Sequence, residues 1–440
     1  MLTQQGALRY LNDPALADLL KLLAGFPLAI QVVLGNLPRQ NPDEVLAALR
    51  AGNVDLDQGD PQDKTTSILG CIDYAFSNLA PAWQKLLLCL APFASVLYVL
   101  GLSAYSAALQ RQPGLAELPF ADWDKLLQEA AQRGLLGPHP QFEGFLSLQP
   151  VLPFFLRSCL KDPAQAQMKT AVEEAFREHY YRLAGELYQL MKSKQPQEKQ
   201  IGQVFTGLEY ENLYTALQLA LTAKTSILNP YAALFYYLDA IHDDTGGLAL
   251  GVAVLDKLND YPAKVLQGRL GSELVSVVDS IANRHLKLKH FADAEASYRK
   301  ELDIYENSLE PGEELRGGTI AGIWHQLGAV AQGQRQWEQA DDNYHKALAI
   351  FIEFNDRHAQ GIIYFQLGTM SEMRQQRAEA GNYYLQALTI FAEYQDEHCL
   401  GITLRNLAHL WQTGVVPDLS QRVAEVLGMS AEDVAAQFAT

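Results

Sequence analysis

A forty-residue internal repeat constrains this chain more than any other feature. Ile323-Trp-His-Gln-Leu-Gly-Ala329, Ile363-Tyr-Phe-Gln-Leu-Gly-Thr369 and Thr403-Leu-Arg-Asn-Leu-Ala-His409 superpose at a spacing of 40, with Gly328, Gly368 and Ala408 at one equivalent position. Further along the first two copies comes a small-large-small set, Ala340, Tyr344 and Ala347, then Ala380, Tyr384 and Ala387. A more divergent copy upstream holds Ala282, Ala294 and Tyr298. A fixed period of this length marks stacked helical units, none of which can bury its apolar face alone. The spacing has a steric meaning. A small residue midway along the first helix lets the second approach closely, the aromatic of the second fills the adjoining space, and its alanines face the next hairpin. Asn355-Asp356 and Gln395-Asp396 precede two of the first helices, where Asp can cap exposed amides.

These positions resemble the tetratricopeptide repeat, in the long form seen in kinesin light chains and many bacterial signalling proteins. The resemblance implies an α-solenoid over 279–414 whose first helices line a concave groove. Carried over position by position, it places Asn283 in that groove, then His325, Ala329 and Gln332, then Phe365, Thr369 and Glu372, and finally Arg405, His409 and Gln412. The mixture of aromatic, amide, acid and base suits a protein or peptide partner better than a lipid. Some relatives grip a C-terminal carboxylate with a Lys-and-Asn pair. Here the matching Lys positions hold Asp279, His325 and Phe365, so that clamp is not expected. His358 and His398 are equivalent by the repeat and read as exposed loop histidines, too far apart for one metal ion. No metal site and no cofactor are expected.

The formal net charge is −17, which repels nucleic acid and anionic membranes unless a basic patch overrides it. Lys192, Lys194 and Lys199 form the densest basic stretch and read as a solvated helix end. Cys71, Cys89, Cys159 and Cys399 are scattered through apolar helical patterns, as reduced thiols of a cytoplasmic protein would be. The first residues show no basic-then-apolar leader. Leu86 to Gln110 carries no charge, but Pro92, Ser95, Gly101 and Ser103 interrupt it, which predicts helix, turn, helix rather than a membrane span.

The N-terminal half reads differently. Asn12-Asp13-Pro14 starts a helix with Leu16, Leu19, Leu20 and Leu23 at helical spacing, and Asn41-Pro42-Asp43-Glu44 reads as a capping box. After a polar loop (52–63), helices are expected over Thr66 to Leu79, Trp83 to Ala91 and Asp124 to Leu136. Gly134-Leu-Leu136 and Phe145-Leu-Ser-Leu148 then flank a polar loop and predict a two-stranded wing.

In order, these segments resemble the arms of STAND-type signalling ATPases, the class that contains NB-ARC proteins. Gly25-Phe26-Pro27-Leu28-Ala29 resembles their Gly-Leu-Pro-Leu motif, and Ser67 to Phe93 the start of their winged-helix domain. Glu209-Tyr-Glu-Asn212-Leu-Tyr-Thr-Ala-Leu resembles the Glu-x-x-Asn-Leu segment that follows it. The departures lie where nucleotide chemistry would sit. None of the 31 glycines is followed by lysine, so no phosphate loop exists. Only 24 residues precede Gly25, too few for a strand-Asp-Asp metal site. The sensing histidine of the Leu-His-Pro pattern is Gln149. Phe26, Pro27 and Gln149 are therefore expected to be remnants of nucleotide contacts, in a degenerate homologue or in the partner of a separate ATPase domain.

Two further patterns are set aside. Leu419 to Val434 imitates a DNA-reading helix-turn-helix but carries no Lys or Arg after Arg422, and reads as a solenoid cap. His242-Asp243-Asp244 reads as a helix end before Gly246-Gly247, not as a metal cluster. The expected architecture is all-α with a small β-wing: an arm over 1–60, a winged-helix-like domain over 61–162, a helical linker over 163–278, the solenoid over 279–414 and capping helices over 415–440. The function expected is non-catalytic: sensing or scaffolding through the groove, with a protein or peptide partner and no nucleic acid or membrane. Two alternatives are a nucleotide-dependent switch and a winged-helix transcription regulator; against the latter, 61–160 hold six Lys/Arg and seven Asp/Glu.

Overall fold

Capping chemistry sets the first described helices. Asp13 accepts the Ala15 N–H at 2.9 Å at the start of α1 (Pro14–Leu22). Asn41 and Glu44 exchange reciprocal side-chain-to-backbone bonds of 2.9 and 3.0 Å at the start of α2 (Pro42–Ala51), closing the capping box. The computed structural model describes residues 10, 13–22, 30, 34, 37, 41–51, 71–266, 269–307, 313–416 and 418–439. Phe26 and Pro27 lie outside them. The chain divides into two units, Met1–Ile241 and His242–Thr440.

In the first unit the uncharged run over 86–110 resolves into the end of α3 (Pro81–Leu88), a strand β1 (Val96–Tyr98) and α4 (Leu102–Gln110). The middle of that run is therefore strand, not only turn. Among the described residues no helix is long and apolar enough to cross a membrane. Beyond α4 come α5 (Trp123–Gln132), β2 (Leu136–Pro138), β3 (Phe145–Leu148) and α6 (Val151–Cys159). The helix expected to reach Leu136 stops earlier, because Gly134 turns left-handed at φ 72° and Leu136 enters β2. The sheet has three antiparallel strands in the order β1-β3-β2, one more than expected, with Leu97 opposite Leu146 and Leu136 opposite Leu148.

The long α7 (Ala166–Lys192) packs against α4, α8 (Pro196–Leu208), α9 (Tyr210–Ala223) and α10 (Leu228–Ala240). Here the Glu-x-x-Asn segment has a structural task. Asn212, fully buried, accepts the Ala94 N–H at 2.8 Å and donates to the Val96 carbonyl at 2.9 Å and to Glu209 Oε2 at 2.7 Å. Tyr180 donates to the same Glu209 oxygen at 2.8 Å. One side chain thus ties α9 to the entrance of β1.

The second unit opens with α11 (Asp244–Asn259). Asp243 caps it by accepting the Gly246 N–H at 2.8 Å, so Gly246 and Gly247 belong to its first turn. His242, left-handed at φ 60°, lies in the turn after α10 as a helix end would, and Asp243-Asp244 begin the next helix. A Cβ on Gly247 would stand 3.0 Å from the guanidinium of Arg284, which is 1% exposed and paired with Asp244. Three hairpins follow: α12 (Arg269–Lys287) with α13 (Phe291–Asn307), α14 (Glu313–Gly333) with α15 (Trp337–Glu353), and α16 (Arg357–Met373) with α17 (Arg377–Glu393). A fourth first helix, α18 (Glu397–Gln412), precedes α19 (Leu419–Leu427) and α20 (Ala431–Phe438). These last two bury Leu419, Val423, Val434 and Phe438 in one cluster with Tyr384, Leu388, Leu407 and Leu410.

Asp356 and Asp396 cap α16 and α18, each accepting an N–H three residues on at 3.0 Å, as their positions predict. The turns between helices share a further device. Lys289, Arg335, Asn355, Gln375 and Gln395 all adopt the left-handed conformation, with φ between 53° and 62°, although none is glycine.

Candidate functional site

The repeat packing follows from two residue types. A Cβ on Gly328 would stand 2.5 Å from the Tyr344 ring, and one on Gly368 would stand 2.6 Å from the Tyr384 ring. The glycine makes room and the tyrosine fills it. Each tyrosine also spans the hairpin by its hydroxyl. Tyr298 donates to Asn283 Oδ1 at 2.8 Å, Tyr344 to Gln332 Oε1 at 2.7 Å, and Tyr384 to Glu372 Oε2 at 3.0 Å.

Three of the residues expected in the groove are thus partly engaged within their own hairpins. Asn283 also donates to Asp279 Oδ1 at 2.9 Å. Gln332 reaches toward the next hairpin, 3.5 Å from Met373 Sδ. Thr369 donates to the Phe365 carbonyl at 3.0 Å, and the Phe365 ring lies 5.6 Å from that of Tyr384. Glu372 receives a second contact, from His409 Nδ1 at 2.8 Å, which joins α16 to α18. Gln412 donates to the Phe438 carbonyl at 2.8 Å and so anchors α20. Arg405 and His409 are exposed, whereas Ala329 and Phe365 are half-buried. His325 is half-buried with its Nε2 enclosed and without a hydrogen-bond partner, and burial holds its pKa below the ordinary histidine value.

Adjoining His325 is a recess of about 360 Å³ between α12, α13 and α14, lined in part by Asp279, Tyr298, Glu301 and Tyr305. Burial pushes the Glu301 carboxyl up to about 8, with the charge of Asp279 adding to the effect. Asp279 is itself raised by burial, an effect that the bond from Asn283 opposes. Asp279 was visible in the sequence as a departure from a clamp position. Glu301 was not singled out, and its only signal is its register against Tyr298.

Elsewhere, His358 and His398 stand in the first turns of helices rather than in loops. His358 meets Asp396 at 3.0 Å and packs edge-on to Tyr394, whereas His398 is exposed. The turn between α12 and α13 brings ligand atoms of His285, His290 and Asp293 within 4.8 Å of one another, a grouping the sequence reading missed. Gln149 follows β3 and is half-buried, its carbonyl accepting the Leu152 N–H at 2.8 Å. Burial pushes the Cys71 and Cys89 thiols up to about 12, far from a nucleophilic thiolate.

With this geometry in place, the class of structure is clear: residues 319–393 match the tetratricopeptide repeat family model, and that stretch is a tetratricopeptide-repeat array. No curated protein matches the chain by sequence. Among solved structures, BtubC (BKLC) from P. vanneervenii is similar at 15% identity with a TM-score of 0.37, over 60% of this chain and 92% of that one. A Signal Transduction ATPase with Numerous Domains (STAND) protein with a tetratricopeptide repeat sensor, from Pyrococcus horikoshii, aligns at 13% identity with a TM-score of 0.34, over 94% of this chain. This chain spans 60% of that protein's length.

Proposed function

We propose that this protein is a non-catalytic sensor or scaffold that binds a protein or peptide along the first-helix groove of its repeats. The observation that carries the reading is a division of labour inside each hairpin. The glycine and the tyrosine it meets, Gly328 with Tyr344 and Gly368 with Tyr384, recur and are consumed in packing. The equivalent positions 279, 325, 365 and 405 hold Asp, His, Phe and Arg. A repeated frame that presents a different side chain at each step is suited to reading an extended partner. The resemblance of the N-terminal half to STAND arms supports a place in a signalling system, with Phe26, Pro27 and Gln149 as remnants of nucleotide contacts.

Affinity capture from the source cell, with wild type and with the triple variant Phe365→Ala, Arg405→Ala, His409→Ala, tests the groove. The variant is expected to keep its helical circular dichroism and to lose one prominent partner. Identical captures would sink the reading. Calorimetry with ATP and ADP is expected to show no heat of binding, and micromolar affinity for either would favour the nucleotide switch instead.

A further inference from the structure

Glu301 breaks the repeat at one of its tightest positions. In α15 and α17 the residue three after the packing tyrosine is Ala347 or Ala387, and each is fully buried. In α13 the residue three after Tyr298 is Glu301, and it is only 3% exposed. Its Oε2 is enclosed and has no hydrogen-bond partner. A buried carboxyl left without a hydrogen-bond partner is costly, and such a group calls for an explanation beyond folding. The recess it lines holds a second carboxylate, Asp279, and the enclosed, unpartnered His325 Nε2. Among the described residues no Lys or Arg lines it. Two acids with no Lys or Arg among them make a site that a cation would complete.

We propose that this recess is a specificity pocket of the groove and receives one basic side chain, a lysine ammonium or an arginine guanidinium, from the bound protein or peptide. Glu301 and Asp279 supply the counter-charge, and His325 Nε2 offers a further polar contact. The rings of Tyr298 and Tyr305 line the same recess and suit the aliphatic stem that carries the charge. The position sits where related repeats clamp a carboxylate, so the charge preference here is inverted. The inference rests on the groove reading above and adds the identity of one contact.

The site also sets a pH signature. The titratable groups facing Glu301 are Asp279 on α12, Tyr298 and Tyr305 on its own helix and His325 on α14. Because the Glu301 carboxyl is held well above the ordinary range, binding a cation draws a proton off it, and affinity rises with pH.

The test pans the immobilised full chain against a synthetic library of N-acetylated, C-amidated dodecapeptides, with and without EDTA. Peptides enriched by wild type are expected to share a Lys or Arg at one register. Replacing that residue by norleucine should weaken binding at least tenfold in wild type and under twofold in Glu301→Gln. The parent peptide should bind several-fold more tightly at pH 8.5 than at pH 6. Enriched peptides without a shared basic residue, or pH-independent binding, overturn the pocket and leave the groove intact. Enrichment of no peptide at all overturns the groove and the pocket together. A basic preference abolished by EDTA assigns the recess to a divalent cation and overturns it as well. Glu301→Ala restores the residue of the other repeats and is expected to raise Tm by about 2–4 °C. A lowered Tm would make Glu301 a structural partner and end the proposal.

Discussion

Gly328 and Gly368 lie within 2.7 Å of tyrosine rings once a Cβ is placed on them, so at these two positions the usual value of alanine in a helix is reversed. Gly→Ala in a helix interior ordinarily stabilises by about 0.5–1 kcal/mol. Gly401, in α18, has nothing within 4 Å of its Cβ position and should follow that rule. Gly368→Ala should instead destabilise by about 1–3 kcal/mol, because the Tyr384 ring must leave its place. Urea denaturation of the two variants checks the contrast, and equal signs would refute it. Glu301 gives a second prediction at this scale. Its folded-state pKa of about 8 lies above the unfolded value of 4.5, so its contribution to stability is full below pH 4.5 and is lost as the pH rises toward 8. Between pH 5 and pH 8 the Tm of wild type should therefore fall relative to that of Glu301→Gln, a difference that isolates Glu301 from the buried His179 and His325, whose lowered pKa values act in the opposite sense.

At the scale of elements, what is legible in the sequence follows the range of the interaction that builds each one. The Asn41 capping box, the Asp356 and Asp396 caps and the Gly368–Tyr384 pairing obey rules that act within a turn or within one hairpin, and all are present. The strand β1 is not legible, because its partner β3 lies some fifty residues further along the chain and neither segment exceeds four residues. Glu301 escapes notice for another reason. A glutamate beside a lysine in an amphipathic helix looks like solvated surface until it is set against Ala347 and Ala387. The groove positions are legible only as positions; that Tyr344 and Tyr384 would hydrogen-bond Gln332 and Glu372 across the hairpin is not. The C-terminal helices supply a prediction here. Deleting 415–440 removes Leu419, Val423, Val434 and Phe438 from the cluster around Tyr384 and Leu407, each a burial of about 1.5–3 kcal/mol. The truncated chain should lose at least about 4 °C in Tm and bind a hydrophobic dye. An unchanged Tm without dye binding would show that α19 and α20 are dispensable.

At the scale of the molecule, the repeat array is an approximately one-dimensional object in which stability sums over hairpins and their interfaces. The left-handed turn residues bear on that sum. Lys289, Arg335, Asn355, Gln375 and Gln395 each hold a conformation that glycine adopts without strain and that costs other L-residues roughly 1–2 kcal/mol. Gln375→Gly should stabilise the array by up to about 1 kcal/mol, the glycine's own chain entropy offsetting part of the gain. A loss of stability in urea denaturation would refute this. The same exchange at Arg335 and Gln395 lies in separate turns and should add nearly independently. The five turns are thus a set of separate dials spaced along the array, Lys289, Arg335 and Gln375 within hairpins and Asn355 and Gln395 between them. Turning them one at a time would vary how firmly each pair of neighbouring helices is joined without replacing any side chain proposed to meet a partner, so that the mechanical compliance of the solenoid can be measured against its recognition.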